Sequence, residues 1–228
     1  DFNTRVIDIN DIKKKITRKT KAIVVVHLYG YTVNFNSIIS YCKKRKIKII
    51  EDCAQSIGSE LNGKKSGTMG DFSCYSFHSA KNITTLGEGG MIYVKDKNLA
   101  NQVKGLRHNG HSDFKYKRSH YWLPAMGNLD IDIKNKWPFK FTLSEVQCGA
   151  GIVMLKKLDS FNNIRIKRAK KLIQSLKDFK ELDFNAEFRN KRHVYHLLSA
   201  YYKPSKNNNR DNLINLLLTQ KGERPFQP

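Results

Sequence analysis

The chain predicts an α/β fold, a mostly parallel sheet sandwiched by helices and followed by the start of a smaller α/β C-terminal domain. Three observations predict it. Ala22 to His27 (AIVVVH) and Ile47 to Glu51 are β-branched runs with little alternation, as expected of strands buried on both faces of a parallel sheet. Between them, Phe35 to Arg45 has helical spacing at Phe35, Ile38, Ile39 and Cys42. Farther on, a strand-like run from Phe72 feeds a glycine-rich turn and a second strand, and Leu143 to Leu176 carries long helical periodicity. Residues 1–180 read as the large domain with its connecting helices, and 181–228 as part of a small one.

Taken in order, the chain opens with a short extended run, RVIDI, and a helix holding Ile12 and Ile16, capped by Asn10 or Asp11. The strand, helix, strand order from Ala22 to Asp52 is a βαβ unit, whose functional residues gather at the carboxyl ends of the strands. His27 and Asp52 both stand at such ends. A carboxylate there must be paired or hydrogen-bonded, and Asp52 is either a site residue or the N-cap of a helix starting near Ala54. Asn62 to Gly67 (NGKKSG) reads as a hairpin or loop, and Lys97 to Arg107 as a helix. Residues 107–132 form a long, aromatic, irregular stretch of the kind that serves function or an interface. The helical pattern over 143–176 breaks near Asp159, His193 to Tyr202 (HVYHLLSAYY) reads as a strand, and Arg210 onward as a helix with a glycine stop.

With 228 residues, 39% of them hydrophobic, the chain can build a real core. It holds no apolar run long enough to span a bilayer, and DFNTRVIDIN resembles neither a signal nor a transit peptide, so a cytoplasmic protein is expected. Cys42, Cys53, Cys74 and Cys148 lie far apart without CxxC pairing, which predicts buried thiols rather than disulfides or metal ligands. The net charge is +22, from 42 Lys and Arg against 20 Asp and Glu. Its short clusters, at 13–15, 43–46 and 165–171, fall on amphipathic helical patterns with no nucleic-acid recognition motif, so solvated helix faces are expected and a specific nucleic-acid partner is not.

Lys81 lies between the strand-like run and Gly87, Gly89 and Gly90. Held in the interior, its amine would lose basicity through desolvation and become able to attack a carbonyl. On a solvated loop it would be one ordinary lysine among many. The residues around it decide between these readings.

The runs AIVVVHLYG, EDCAQSIGSELNGKKSGTMGDFSCYSFHSAKNITTLGEGG, RHNG and WPFKFTLSEVQCGAG stand in one order and spacing. Together they closely resemble the DegT/DnrJ/StrS family of pyridoxal-phosphate-dependent nucleotide-sugar aminotransferases. The resemblance implies the aspartate-aminotransferase type of fold, a homodimer with active sites at its interface, and transfer of an amino group, from a donor such as glutamate, to a nucleotide-linked keto sugar. It implies that Lys81 holds pyridoxal phosphate as a Schiff base and that Asp52 faces the pyridine nitrogen and keeps it protonated. Gln55 matches a residue packing beside the ring, and Ser76 a hydroxyl donor to the phosphate. His27 and His78 fall in family motifs near the pocket, where core histidines with satisfied hydrogen bonds are the equal alternative. Lys140 stands where the family usually has an asparagine that reaches the neighbouring subunit's phosphate; lysine meets a phosphate as a point charge or points to solvent.

The family has a further segment ahead of the equivalent of Asp1, carrying part of the phosphate cradle and a ring-stacking aromatic, and more of the small domain after Gly222. On this resemblance the 228 residues alone are expected to bind cofactor weakly. The rival readings are a non-catalytic remnant, a dehydratase, whose family members carry histidine in place of Lys81, and a basic nucleic-acid-binding protein.

Overall fold

The computed structural model describes residues 1–110, 136–184, 191–204 and 209–220. Helix α1 (Ile9–Lys15) leads into strand β1 (Ala22–Val26), and helix α2 (Asn36–Lys44) into strand β2 (Lys48–Asp52). The short strands β3 (Glu60–Leu61) and β4 (Lys64–Lys65) precede β5 (Phe72–Ser76), β6 (Gly90–Val94) and helix α3 (Lys97–Arg107). Helices α4 (Glu145–Lys156) and α5 (Leu158–Ser175) follow, then β7 (Leu182–Phe184), β8 (Lys191–Arg192), β9 (Ala200–Tyr202) and helix α6 (Arg210–Gln220).

The main sheet runs β1-β2-β5-β6, with β1, β2 and β5 parallel and β6 antiparallel at the edge. Its mostly parallel order is the one that the βαβ pattern predicts. Because side chains alternate along a strand, the register sorts them into two faces. Val25, Ile49, Glu51 and Ser73 point inward and are buried, against a core of Phe35, Ile38, Cys42 and Ile47 supplied by α2 and its flanks. Val26, Asp52, Cys74 and Ile92 are paired in register on the opposite face. That face is open among the described residues, with Val24 50% and Ile92 58% exposed. The expectation that Ala22–Val26 is buried on both faces is therefore corrected. β-branched residues mark a strand, but the run itself does not say how many layers cover it.

Several local expectations change for identifiable reasons. Asp8, rather than Asn10 or Asp11, caps α1, its carboxylate accepting the Asn10 N–H at 2.7 Å, and Arg5 to Ile9 forms no strand. Asp52 caps a turn and not a helix. Cys42 and Cys53 are buried, but Cys74 is exposed on the open sheet face and Cys148 on α4. In HVYHLLSAYY only the last three residues are strand, because 193–197 instead packs on the turn after β1, where the Val194 N–H donates to the Gly30 carbonyl at 3.0 Å. A Cβ on Gly30 would lie 2.9 Å from two backbone nitrogens of that segment, so glycine is required there. The Asn62-Gly63 hairpin forms as expected, with both turn residues at positive φ. The 143–176 pattern divides at Lys157. Residues 111–132 of the long aromatic stretch, and Gly222 with its helix stop, lie outside the described residues.

No described helix is long and apolar enough to cross a membrane. Strand β8 pairs with β3, and β7 pairs with β9, whose small sheet is tied to the N-terminal residues by Arg5, donating to the Ser199 carbonyl at 3.0 Å.

Candidate active site

The parallel strands deliver three of the sequence-predicted residues to one end of the sheet. Asp52 ends β2, Ser76 ends β5 on the same face, and Gln55 sits in the turn that follows Asp52. Lys81 lies five residues beyond Ser76, in a loop whose two ends are closed by the Phe77 N–H donating to the Gly89 carbonyl at 2.7 Å. Gly89 has no room for a side chain, since a Cβ would stand 2.1 Å from the Thr85 hydroxyl. Thr85 in turn closes the loop by donating to the Glu88 carbonyl at 3.2 Å. Ile83 anchors the loop from beneath, packed with Ile57 and Leu158. Helix α4 adds a tie from the side. Its N-terminus carries a Ser144/Gln147 capping box, and Gln147 Nε2 also donates to the Glu88 carbonyl at 3.0 Å.

Lys81 is half-buried rather than enclosed, with its own N–H bonded to the His78 carbonyl at 2.9 Å. Asp52 is half-buried as well. Its Oδ1 accepts the Ala54 N–H at 3.0 Å, and no hydrogen bond to Oδ2 is found among the described residues. Gln55 Oε1 accepts the Tyr29 N–H at 2.8 Å, holding the end of β2 to the turn after β1, where Tyr29 takes a φ of 60°. The Ser76 hydroxyl accepts the His78 N–H at 3.4 Å and stays half-buried. Lys140 is not gathered with these four by any hydrogen bond or ion pair among the described residues. It is exposed, and its backbone pairs with His108 just after α3.

The structure adds residues that the sequence reading passed over. Glu51, fully buried one residue before Asp52, accepts four N–H groups: Gly67 at 2.8 Å, Met69 at 2.7 Å, Gly70 at 2.5 Å and His27 Nε2 at 2.8 Å. Burial pushes this carboxyl upward, but the His27 ring and the Gly70 and Gly67 amides outweigh it and hold Glu51 below its ordinary value. His27 Nδ1 accepts the Val33 N–H at 3.0 Å, so the proton lies on Nε2 and the ring is a satisfied core histidine. His27, Glu51 and Cys53 lie close enough to resemble a metal-binding trio. The His27 and Glu51 atoms are instead committed to protein hydrogen bonds, and burial, with Glu51 beside it, pushes the Cys53 thiol up to about 12. The trio is a structural cluster that fixes the strand end carrying Asp52. Its signal in the sequence was a glutamate at an inward position of the run KIIED.

Asn82, Asn162 and His196 form a second cluster beside Lys81. Asn82 Nδ2 donates to Asn162 Oδ1 at 2.8 Å, and Asn82 Oδ1 lies 3.3 Å from His196 Nδ1. Burial, with the charges of Lys81 and Arg165, holds the His196 ring below its ordinary value. His78 stays half-buried, its Nδ1 accepting the Ala80 N–H at 3.1 Å.

Known proteins resemble the chain in both sequence and fold. The chain is 37% identical over 204 residues to the dTDP-3-amino-3,6-dideoxy-alpha-D-galactopyranose transaminase of Aneurinibacillus thermoaerophilus, covering 89% of this chain and 51% of that one. It is 35% identical over 161 residues to the GDP-perosamine synthase of Escherichia coli O157:H7, covering 71% and 40%. The structure of E. coli GDP-4-keto-6-deoxy-D-mannose-3-dehydratase with bound hydrated PLP superposes with a TM-score of 0.79 at 27% identity, over 97% of this chain and 57% of that one. The chain thus spans about half the length of the curated relatives it matches. The family model of these enzymes matches residues 1–223, nearly the whole sequence, and the chain belongs to the DegT/DnrJ/EryC1/StrS aminotransferase family.

Proposed function

We propose that the strand-end site holds pyridoxal phosphate and moves an amino group, from an amino acid such as glutamate, to a keto sugar carried on a nucleotide. The observation that carries this reading is the joint placement of Asp52, Ser76 and the Lys81 loop at the carboxyl end of the parallel strands. The names of the dTDP-sugar and GDP-sugar relatives support the substrate class.

The residues fit the cofactor. Asp52 presents an oxygen without a described partner on an open face, where its neighbours in register are Val26 and Cys74 and Ile92 lies beyond Cys74, a largely apolar row that suits a flat ring with a cationic nitrogen. When bound, pyridoxal phosphate supplies the electron sink that makes removal of an amino acid's α-proton feasible. Asp52 holds a proton on the ring nitrogen, an interaction strengthened where water is partly excluded. Lys81 Nζ would be the amine that holds the cofactor, and it would serve as the base that takes a proton from the donor's α-carbon. Ser76 Oγ donates to a phosphate oxygen. Gln55 and Glu51 hold the turn and strand end that aim Asp52. Lys140 acts as a point charge toward the phosphate held by a neighbouring subunit, in a homodimer. Residues 1–180 belong to a large domain and 181–228 to a small one.

An absorbance titration of the purified chain with pyridoxal phosphate tests the reading. Wild type develops the visible band of an amine condensation product, and Lys81→Ala abolishes it. Asp52→Asn keeps the band but slows the half-reaction with glutamate by about a hundredfold or more. An equal band in Lys81→Ala contradicts the proposal.

A further inference from the structure

We propose that Asn162, carried by α5, is a positioning residue that sets the Lys81 loop against the turn following Asp52. The proposal rests on the reading of Lys81 as the cofactor-bearing amine. Asn162 is fully buried on the stripe of α5 that also buries Leu158 and Ala169. Its amide uses both ends. Nδ2 donates to the Ile57 carbonyl at 3.0 Å, and Oδ1 accepts from Asn82 Nδ2 at 2.8 Å. Ile57 belongs to the turn that runs on from Asp52 and Gln55, and Asn82 is the residue after Lys81. One side chain thus joins the two segments that carry the opposed groups of the site.

The surroundings are shaped to this amide. Gly58 takes a φ of +81°, and a Cβ there would stand 2.6 Å from Asn162 Nδ2, so only glycine admits the contact. Asn82 is itself buried; its Nδ2 also donates to the Val194 carbonyl at 3.3 Å, and its Oδ1 meets His196. Because Asn82 Oδ1 can only accept, His196 Nδ1 is the donor in this contact. Filling this helix position needs only an apolar side chain of similar volume. A fully satisfied buried amide pair adds direction, because it is satisfied in one arrangement only.

Three variants of the full chain test this: Asn162→Leu, which removes both bonds, Asn162→Asp, which keeps the acceptor for Asn82, and Asn163→Ala, at the exposed neighbouring position. Two ratios are read by mass spectrometry. The first is the rate of trace acetylation of Lys81 by acetic anhydride relative to exposed Lys13, without cofactor. The second is the rate at which borohydride traps pyridoxal phosphate on Lys81. Asn162→Leu raises the first ratio and lowers the trapping rate, each about tenfold, the worth of about one buried hydrogen bond. Asn162→Asp falls between, and Asn163→Ala leaves both unchanged. General destabilisation would raise acetylation of Lys191, the half-buried lysine over the Tyr31 ring, alongside Lys81. Asn162→Leu with native circular dichroism and a first ratio within twofold of wild type overturns the proposal. If that variant does not fold, Asn162→Ser decides by the same criterion. Absence of trapping in wild type refutes the Lys81 assignment instead, and the acetylation ratio still decides the role of Asn162.

Discussion

Glu51 and Asp52 are adjacent carboxylates with opposite tasks, separated only by strand alternation. Glu51 points into the core and is saturated with N–H donors, whereas Asp52 points to the open face with one oxygen to spare. Replacing Glu51 by alanine strands three backbone N–H groups and the His27 donor, and should cost about 3–5 kcal/mol in urea unfolding. The same contacts give an acid limb. A carboxyl held below its unfolded value stabilises the chain above that value, about 4.3, and the stabilisation is lost as pH falls through the folded value. His193 acts earlier. Burial pushes its ring down to about 4, so it is neutral when folded but takes up a proton near pH 6.5 when unfolded. Stability should therefore decline as pH falls from about 6.5 toward 4. Urea melts across that range should show a flatter decline in His193→Phe, and an unchanged slope would refute the assignment.

At the scale of elements, the sequence was most legible where local chemistry decides. The βαβ order, the Asn62-Gly63 hairpin, helix α3 and the divided 143–176 pattern all follow from periodicity and turn residues. What could not be read was set by tertiary contact. HVYHLLSAYY has strand composition, yet its first part is claimed by Gly30 and by the Asn82 amide. The strand end at Asp52 and the glycine turn after Lys81 have sequence signatures, whereas the roles given to Asp52, Ser76 and Lys81 came from the resemblance to the family. Asn162 was not, since a polar residue in an amphipathic helix looks like any surface position until its partners at Ile57 and Asn82, distant in sequence, are known. Two element-scale predictions come from packing. Gly67 sits at φ +86° with no space for a Cβ, which would fall 2.0 Å from the Tyr75 hydroxyl. Gly67→Ala should therefore lower stability by about 1–3 kcal/mol, measured by the same urea melts, and a loss below about 0.5 kcal/mol would contradict the crowding. Helix α4 exposes Val146, Ile152, Val153 and Leu155 together. The chain should self-associate through them, and Ile152→Lys with Leu155→Glu should shift its sedimentation toward the monomer. Unchanged sedimentation would place the contact elsewhere.

For the whole molecule, the open sheet face and the loop bearing Lys81 meet at one end of the parallel strands, and the basic charge plays no part in that geometry. Any binding to DNA should be weak, indifferent to sequence and lost steeply with salt, which a filter-binding series from about 50 to 200 mM salt would show. The site stands or falls on which amine meets the cofactor. Incubation of the full chain with pyridoxal phosphate, borohydride reduction and peptide mapping answers that most directly. Lys81, held by the Phe77–Gly89 closure and the Asn82 amide at the end of the sheet that carries Asp52, should bear the label. Label on other lysines with none on Lys81 would contradict the assignment.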